Sequence, residues 1–499
     1  MVAAGSGPWI RQARAQAPAV SHGVMSGDVL ANRGVVWSRA SAPGRMIVEW
    51  STTEKMTNPR TVPGPIATPG TGLTARVDLT GLPANQTIFY RVSFQDQADA
   101  KSHSAPVLGH FRTAPTAPRD IRFLWSGDTC GQGIGINPDI GGIKIYETMR
   151  RLQPDFFIHS GDTIYADVPI QAEIRNGGET VWRNLTTEAK SKVAETVDEF
   201  RGNYLYNLMD ENILRFNADV PQIWQWDDHE VINNWSPGLD LNNFPSYKIK
   251  DIKVLAANSR RAFLEHSPIR ILSGFDAQKV YRKIPYGPLL DVFVIDMRTY
   301  RAANSPNRQS VESNATAYLG NTQIDWLRQG LRDSKATWKV IASDMPLGVE
   351  VSAGTDLWEN SSNGPGPAAG RELEIARLLR GIKNDNIRNV VWFTADVHYT
   401  AAHYYDPAKA KFTDFNPFWE FISGPLNAGT YGLEKLDETF GPEVVFFKAP
   451  PEGMRGLLPS AGLQFFGDVK IDAKSRAMQV VLRDMEGDAL FTQVIEAAR

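Results

Sequence analysis

Ile121-Arg-Phe-Leu-Trp125-Ser-Gly-Asp128 and Asp155-Phe-Phe-Ile-His159-Ser-Gly-Asp162-Thr-Ile-Tyr165 repeat one pattern: a short apolar run that stops at Ser-Gly-Asp. Between them Ile145, Tyr146, Met149 and Leu152 lie at helical spacing. Strand, helix, strand over this length is a β-α-β unit, parallel and right-handed by default. Further buried-type strands are expected at Gln222 to Trp226, Leu289 to Ile295, Trp338 to Ile341 and Val390 to Thr394, with helices at Ile324 to Leu331 and Glu372 to Leu379. Leu463 to Ile471, Met478 to Leu482 and Leu490 to Ile495 alternate in strand fashion and are expected to add antiparallel strands. Residues 119–499 therefore read as one α/β domain.

Strand after strand in that domain ends in a polar cluster: Ser126-Gly127-Asp128, Ser160-Gly161-Asp162, Asp227-Asp228-His229, Asp296-Met297-Arg298, Ser343-Asp344 and Ala395-Asp396-Val397-His398. In α/β sheets the carboxyl ends of strands converge on one edge, where ligands bind. One such Asp is ordinarily a helix cap or a solvated strand end; a series at successive strand exits predicts one acidic, oxygen-rich pocket. Carboxylates a few ångströms apart disfavour one another's ionised form, and multivalent cations resolve the conflict. Hard oxygen donors with few imidazoles suit iron(III), calcium, magnesium or manganese better than a thiolate-type zinc site.

Upstream, Val35 to Trp37, Met46 to Trp50, Thr74 to Leu79, Ile88 to Phe94 and Leu108 to Phe111 are short β-branched and aromatic runs separated by turns. This patterning predicts a β-sandwich over residues 21–113. Leu79-Thr-Gly-Leu-Pro-Ala-Asn-Gln-Thr-Ile-Phe-Tyr90 resembles the fibronectin type III signature, whose tyrosine is buried. Ala114-Pro115-Thr116-Ala117-Pro118 reads as a stiff linker. Residues 1–20 read as disordered or as the remnant of an export signal, because Ala15-Gln16-Ala17 has the small-x-small form of a cleavage site. The expected localisation is secreted or periplasmic.

Composition excludes several classes. Across 499 residues, 53 Lys+Arg against 56 Asp+Glu leave a formal charge of −3, which gives no electrostatic case for duplex nucleic acid. No stretch approaches the roughly 18 apolar residues of a membrane helix, so no integral membrane segment is expected. The single cysteine, Cys130, excludes an intramolecular disulfide and any multi-cysteine metal site.

Gly127-Asp128, Gly161-Asp162-Thr163-Ile164-Tyr165, Trp226-Asp227-Asp228-His229-Glu230, Asp296-Met297-Arg298-Thr299-Tyr300-Arg301 and Asp396-Val397-His398, taken in order, resemble the calcineurin-like metallophosphoesterases. Within them they resemble the PhoD-type alkaline phosphatase and phosphodiesterase family, which includes enzymes described as phospholipase D. The segment Leu357-Trp358-Glu359-Asn360 to Gly370-Arg371-Glu372-Leu373 resembles that family's active-site rim. The resemblance implies an α-β-β-α catalytic sandwich behind an N-terminal β-sandwich. It implies iron(III) held by Asp128, Asp162, Tyr165 and His398, with Asp162 shared with a neighbouring calcium position. That position, for one or two calcium ions, would take Asp228 and Asp396, with Asn233 or Asn234 as additions. Zn2+ or Mn2+ are the alternatives there, but carboxylates in place of neutral nitrogen donors shift preference toward calcium.

Many PhoD-type members place a cysteine where Asp128 aligns, so Cys130 is the competing ligand. Free cysteine is commonly buried, and Tyr165 already supplies a further donor, which favours Asp128. The implied mechanism is attack on phosphorus by a metal-bridging hydroxide. His229 is the candidate to contact the phosphoryl oxygen and protonate the leaving group, with a supporting imidazole as its bland alternative. Arg298 is the candidate to fork onto phosphate, with a salt bridge to a pocket acid as the alternative. His159 reads as a core or supporting histidine, Asp344 as a supporting acid, and Tyr399 and His403 as rim residues. Residues Gln171 to Asn217 are expected to form an insertion over the mouth, and Ser361 to Gly370 a mobile loop.

The expected function is hydrolysis of small phosphate mono- or diesters. A phospholipase D-type diesterase and a non-catalytic binding protein using the β-sandwich are the alternatives. An iron oxygenase is disfavoured, because the two-His-one-carboxylate set is lacking.

Overall fold

The computed structural model describes residues 18–175 and 181–498. The export reading falls almost wholly on residues 1–17, outside the described residues.

Two sheets lie face to face. One has nine strands in the order Ala489–Ile495, Met478–Asp484, Phe465–Ile471, Ile121–Ser126, Phe156–Ser160, Gln222–Gln225, Val20–Gly27, Arg33–Ala40, Thr74–Thr80. The other has seven: Arg282–Pro285, Leu290–Val294, Trp338–Ala342, Val390–Thr394, Phe418–Ile422, Thr400–Tyr405, Pro442–Lys448. Because successive strand side chains point to opposite faces, Phe123 and Trp125 join Phe156 and Ile158 in the core between the sheets, against Val292, Val340 and Phe393. Leu124 and Phe157 face outward, under Met149, Phe200, Phe216 and Phe263 of the helical layer. On the far side, Phe293, Ile341 and Trp392 are covered by Ile324 and Leu327 of the helix Asn321–Asp333 and by Ile375 and Leu379 of Glu372–Asn384. The order is α-β-β-α. The 3.6-residue spacing of those apolar positions is what commits both helices to the sheet.

A four-stranded sheet, Arg60–Ala67, Gly44–Ser51, Thr87–Asp96, Val107–Arg112, completes an N-terminal β-sandwich with Val20–Gly27, Arg33–Ala40 and Thr74–Thr80. Its core includes Val36, Val48, Ile88, Phe111 and the fully buried Tyr90. Val20–Gly27 pairs in parallel with Gln222–Gln225 through Gly27 and Gln222. A Cβ on Gly27 would lie 2.5 Å from the Gln222 carbonyl oxygen, so glycine permits the close approach. The sandwich is thus continuous with the strands of the α/β domain, and Asp28 pairs with Arg282 at 2.9 Å across the junction. Among the described residues no helix is long and apolar enough to cross a membrane.

Residues Ser361 to Gly370, expected to be a mobile loop, are anchored at their start. Asn360, Ser361 and Ser362 are buried, and both serine hydroxyls donate to the Leu347 carbonyl. Aromatic side chains of Gln171 to Asn217 are packed: Trp182 joins Ile134 and Leu458, and Tyr204 stacks on His266 at 5.2 Å.

Candidate metal centre

The candidate ligands come from the carboxyl ends of central strands, at the edge where parallel β-α-β units leave backbone free to turn. Asp128 follows Ile121–Ser126, Asp162 follows Phe156–Ser160, Asp228 follows Gln222–Gln225, and Asp396 and His398 follow Val390–Thr394. The turns are sharp. Asp128, Asp162, Asp396 and His398 have φ of 68°, 52°, 68° and 56°. Non-glycine residues held in this left-handed region concentrate at functional sites, where the surrounding structure imposes the conformation. Gly161, at φ 92°, lets two of these turns touch: a Cβ there would fall 2.5 Å from Cβ of Asp227.

One potential ligand atom from each of Asp128, Asp162 and His398 lies within 4.8 Å of the others, and all three residues are buried. The phenol oxygen of Tyr165 is 2.9 Å from His398 Nε2, and Asp128 Oδ1 is 3.7 Å from the same nitrogen. His398 Nδ1 faces the Gly429 carbonyl, which fixes the tautomer and leaves Nε2 as a bare donor. Burial lowers this imidazole to about 3, so it is neutral and ready to ligate at ordinary pH.

A second group consists of Asp162, Asp228 and His229, again within 4.8 Å by one atom each. The backbone N–H of His229 donates to Asp162 Oδ1 at 3.2 Å, and that of Asn234 donates to Asp228 Oδ2. Asn233 reaches Asp167 rather than the cluster, through its backbone N–H at 2.9 Å. Asp396 belongs to neither of these groups, but it shares a partner with Asp228: Arg298 Nη2 is 3.7 Å from Asp396 Oδ1 and 3.8 Å from Asp228 Oδ2.

Do these residues fit cations? Both oxygens of Asp128 and Oδ1 of Asp228 are buried without a hydrogen-bond partner. Burial, followed by the charges of neighbouring carboxylates, pushes Asp128 and Asp162 well above the usual carboxylate range. Acids so placed ionise together only against a concentrated positive charge. The donors are oxygen-rich, with a phenol and an imidazole added, and they fit hard metal ions.

The imidazole of His229 donates from Nδ1 to Asp167 Oδ1 at 2.7 Å and turns Nε2 toward Asp228, 3.9 Å away. Its ring lies on Tyr165, with centroids 4.1 Å apart. Burial opposes its charge, but Asp167 and Asp228 outweigh that and raise it to about 10. Asp167 carries no sequence signal, since it sits in a loop after Tyr165 without periodicity.

Arg298 does not fork into open space. Its side chain has no exposure and is enclosed by Asp227, Asp228, Asp344, Glu359 and Asp396, because buried carboxylates compete for the same planar donors that phosphate would use. Asp296 is occupied elsewhere, accepting from Trp226 Nε1 and from the backbone N–H groups of Arg298 and Thr299. Glu230 ties two ligand turns together, accepting from Thr163 at 2.6 Å and from the Asp227 N–H at 2.8 Å.

Other expected residues lie where packing requires. Cys130 is in the hydrophobic core with its Sγ 3.8 Å from Asn427 Nδ2, and burial pushes the thiol up to about 12. His159 contacts the Thr129 hydroxyl at 3.0 Å and is lowered to about 3 by burial. Tyr399 and His403, expected at the rim, have no exposure, because His403 lies in Thr400–Tyr405, an interior strand of the seven-stranded sheet, and Tyr399 directly precedes that strand. The ring beside His398 is that of Tyr431, 4.8 Å between centroids.

Comparison with known proteins agrees with this geometry. The sequence model described as "PhoD-like phosphatase" matches residues 123–482, and that of its N-terminal domain matches residues 4–115. "Alkaline phosphatase D" of Bacillus subtilis (strain 168) is 27% identical over 453 residues, which cover 84% of this chain and 71% of that protein. Among solved structures, "Structure of PhoD" superposes with a TM-score of 0.70 at 21% identity, covering 95% of this chain and 90% of that one. Purple acid phosphatase PPD1 from yellow lupin (Lupinus luteus) seeds gives 0.58 at 13% identity, covering 96% and 74%. The match to the PhoD-like phosphatase model over residues 123–482, on an α-β-β-α sandwich whose strand ends gather buried carboxylates, a phenol and an imidazole, places the chain in the PhoD-like phosphatase family, as a metal-dependent phosphoric ester hydrolase.

Proposed function

We propose that the chain hydrolyses both phosphate monoesters and diesters with an iron(III) ion and calcium at adjacent positions. Asp128, Asp162, Tyr165 and His398 would hold the iron, and Asp162, Asp228 and Asp396 the calcium. The observation that carries this reading is the meeting of one atom each of Asp128, Asp162 and His398 within 4.8 Å, with the Tyr165 phenol on the same imidazole nitrogen. Phenolate and carboxylate favour a trivalent ion, and carboxylates in the second set favour calcium over zinc or manganese. When bound, such cations polarise phosphoryl oxygens, offset developing charge and acidify water.

The protein's own groups do the rest. His229 presents Nε2 toward the cluster and delivers a proton to the departing alkoxide, while Asp167 holds the other nitrogen as N–H. Arg298 acts by holding the carboxylates around it rather than by touching the ester. No side chain needs to form a bond to phosphorus. The enzyme is read as secreted or periplasmic, on the small-x-small residues at Ala15-Gln16-Ala17.

The test is elemental analysis of the purified protein, then incubation with an aryl phosphate monoester and a bis-aryl diester, with and without calcium. Iron together with calcium, and calcium-dependent phenolate release from both esters, is the expected result. Zinc or manganese alone would reassign the ligands, and release from neither ester would sink the reading.

A further inference from the structure

The guanidinium of Arg298 is set wholly inside the acidic cluster, with no exposed side-chain surface. Asp227 and Glu359 touch it directly, and Asp344, Asp396 and Asp228 approach to 3.5, 3.7 and 3.8 Å. Both oxygens of Asp344 and Oδ2 of Asp227 accept no hydrogen bond, so these acids depend on Arg298 for their counter-charge. A guanidinium does not deprotonate in proteins, and its charge is present whether or not metal is supplied. Removing one partner of a buried charge group leaves the others uncompensated.

We infer that Arg298 is a built-in cation that occupies the space between Asp227, Asp344 and Glu359, which would otherwise take a further divalent ion, and that it thereby sets how many metal ions the cluster binds. Arg298 is on this account a positioning residue. It approaches Oδ2 of Asp228 and leaves Oδ1 of the same carboxylate without a hydrogen-bond partner, so the exchangeable cation meets an oriented ligand. The inference rests on the reading that the cluster binds cations, and the experiment separates the two.

The experiment measures calcium content and thermal unfolding of Arg298→Met alongside the unaltered protein, from chelator to millimolar calcium. The variant is expected to carry about one more calcium per chain, since a carboxylate cage without its fixed charge is a hard-cation site. Its melting temperature is expected to climb more steeply with calcium. Adding Asp344→Asn removes one matching negative charge and is expected to return both readouts toward the unaltered protein. Equal calcium content and equal calcium dependence in Arg298→Met overturn the inference. If Arg298→Met fails to fold at every calcium concentration, recovery in the double variant supports the charge role and failure of both overturns it. An unaltered protein that binds no metal sinks the metal-centre reading itself, whereas iron and calcium in that protein with no gain in Arg298→Met sink only the role of Arg298.

Discussion

The phenol oxygen of Tyr165 stands 2.9 Å from His398 Nε2, although the two residues are 233 positions apart. Burial, reinforced by the charges of Asp162 and Asp128, holds the phenol proton well beyond the ordinary tyrosine range. Only a strongly charged cation displaces that proton, and a bound metal inverts the local preference in this way. Tyr165→Phe is therefore expected to lose the visible charge-transfer band of a phenolate–iron(III) bond, with metal affinity or activity down by at least the roughly 10–100-fold that losing a group behind a ligand costs. Absorption spectroscopy with iron analysis checks this; a variant that keeps the full band contradicts a ligand role for Tyr165.

His229 and Asp167 form a dyad behind the cluster, with Nδ1 and Oδ1 2.7 Å apart. If the imidazole delivers the leaving-group proton, His229→Ala lowers kcat by roughly 10²–10⁴-fold. Iron and calcium contents are expected to stay at the unaltered level. Asp167→Asn keeps the imidazole but frees its tautomer, so a smaller loss of kcat at unchanged KM is expected. The penalty should shrink for esters with better leaving groups, which need less protonation. Loss of metal in His229→Ala would instead make the residue a ligand, as its place beside Asp162 and Asp228 permits.

Away from the cluster, Glu372 opens the helix Glu372–Asn384 with its carboxyl buried beside Asp437. Asp437 already accepts the N–H groups of Thr439 and Asn363, at 2.7 and 3.2 Å. Burial first, then the neighbouring carboxylate, raises Glu372 from 4.5 to about 10. The folded chain then holds a proton that the unfolded chain releases. Stability from this group is complete below the unfolded value and is lost as pH rises through the folded one. Glu372→Gln mimics the protonated form and does not titrate. Its melting temperature relative to the unaltered protein is expected to increase steadily between pH 6 and about 9. A difference independent of pH over that interval would show that Glu372 is ionised in the fold.

Much of this was legible because the signal was local. A buried strand that stops at Gly-Asp announces both the strand and the turn, and this pattern marks Asp128 and Asp162, whose carboxylates the fold brings together. Asp167 was not, because its role depends on a histidine 62 positions away. Arg298 was ambiguous for a chemical reason: phosphate and carboxylate offer the guanidinium the same paired oxygens, and only the fold reveals which is near. The strands Thr400–Tyr405 and Phe418–Ile422 escaped because polar residues interrupt them. His403 and Glu420 face each other in register, 3.5 Å apart, and so are tolerated in a buried pair of strands that reads as mixed polarity. Glu359 lay in the segment expected at the rim, yet its contact with Arg298 needed the fold to bring two distant loops together.

Cys130 separates two accounts of the iron position most cleanly. It sits two residues beyond Asp128, at φ 63°, yet its side chain turns into the hydrophobic core that also contains Ile136, Tyr146 and Tyr206. A thiol pushed up to about 12 by burial offers little thiolate to a metal. Truncation removes packing and one weak contact with Asn427, so Cys130→Ala should destabilise the fold by about 1 kcal/mol. Iron content and kcat should be unchanged. Asp128→Ala should do the reverse, emptying the iron position while relieving a buried, unpaired carboxylate, so its metal-free melting temperature should equal or exceed that of the unaltered protein. Denaturant unfolding with iron analysis on both variants decides the matter: iron lost from Cys130→Ala and kept in Asp128→Ala would transfer the ligand role to the thiol.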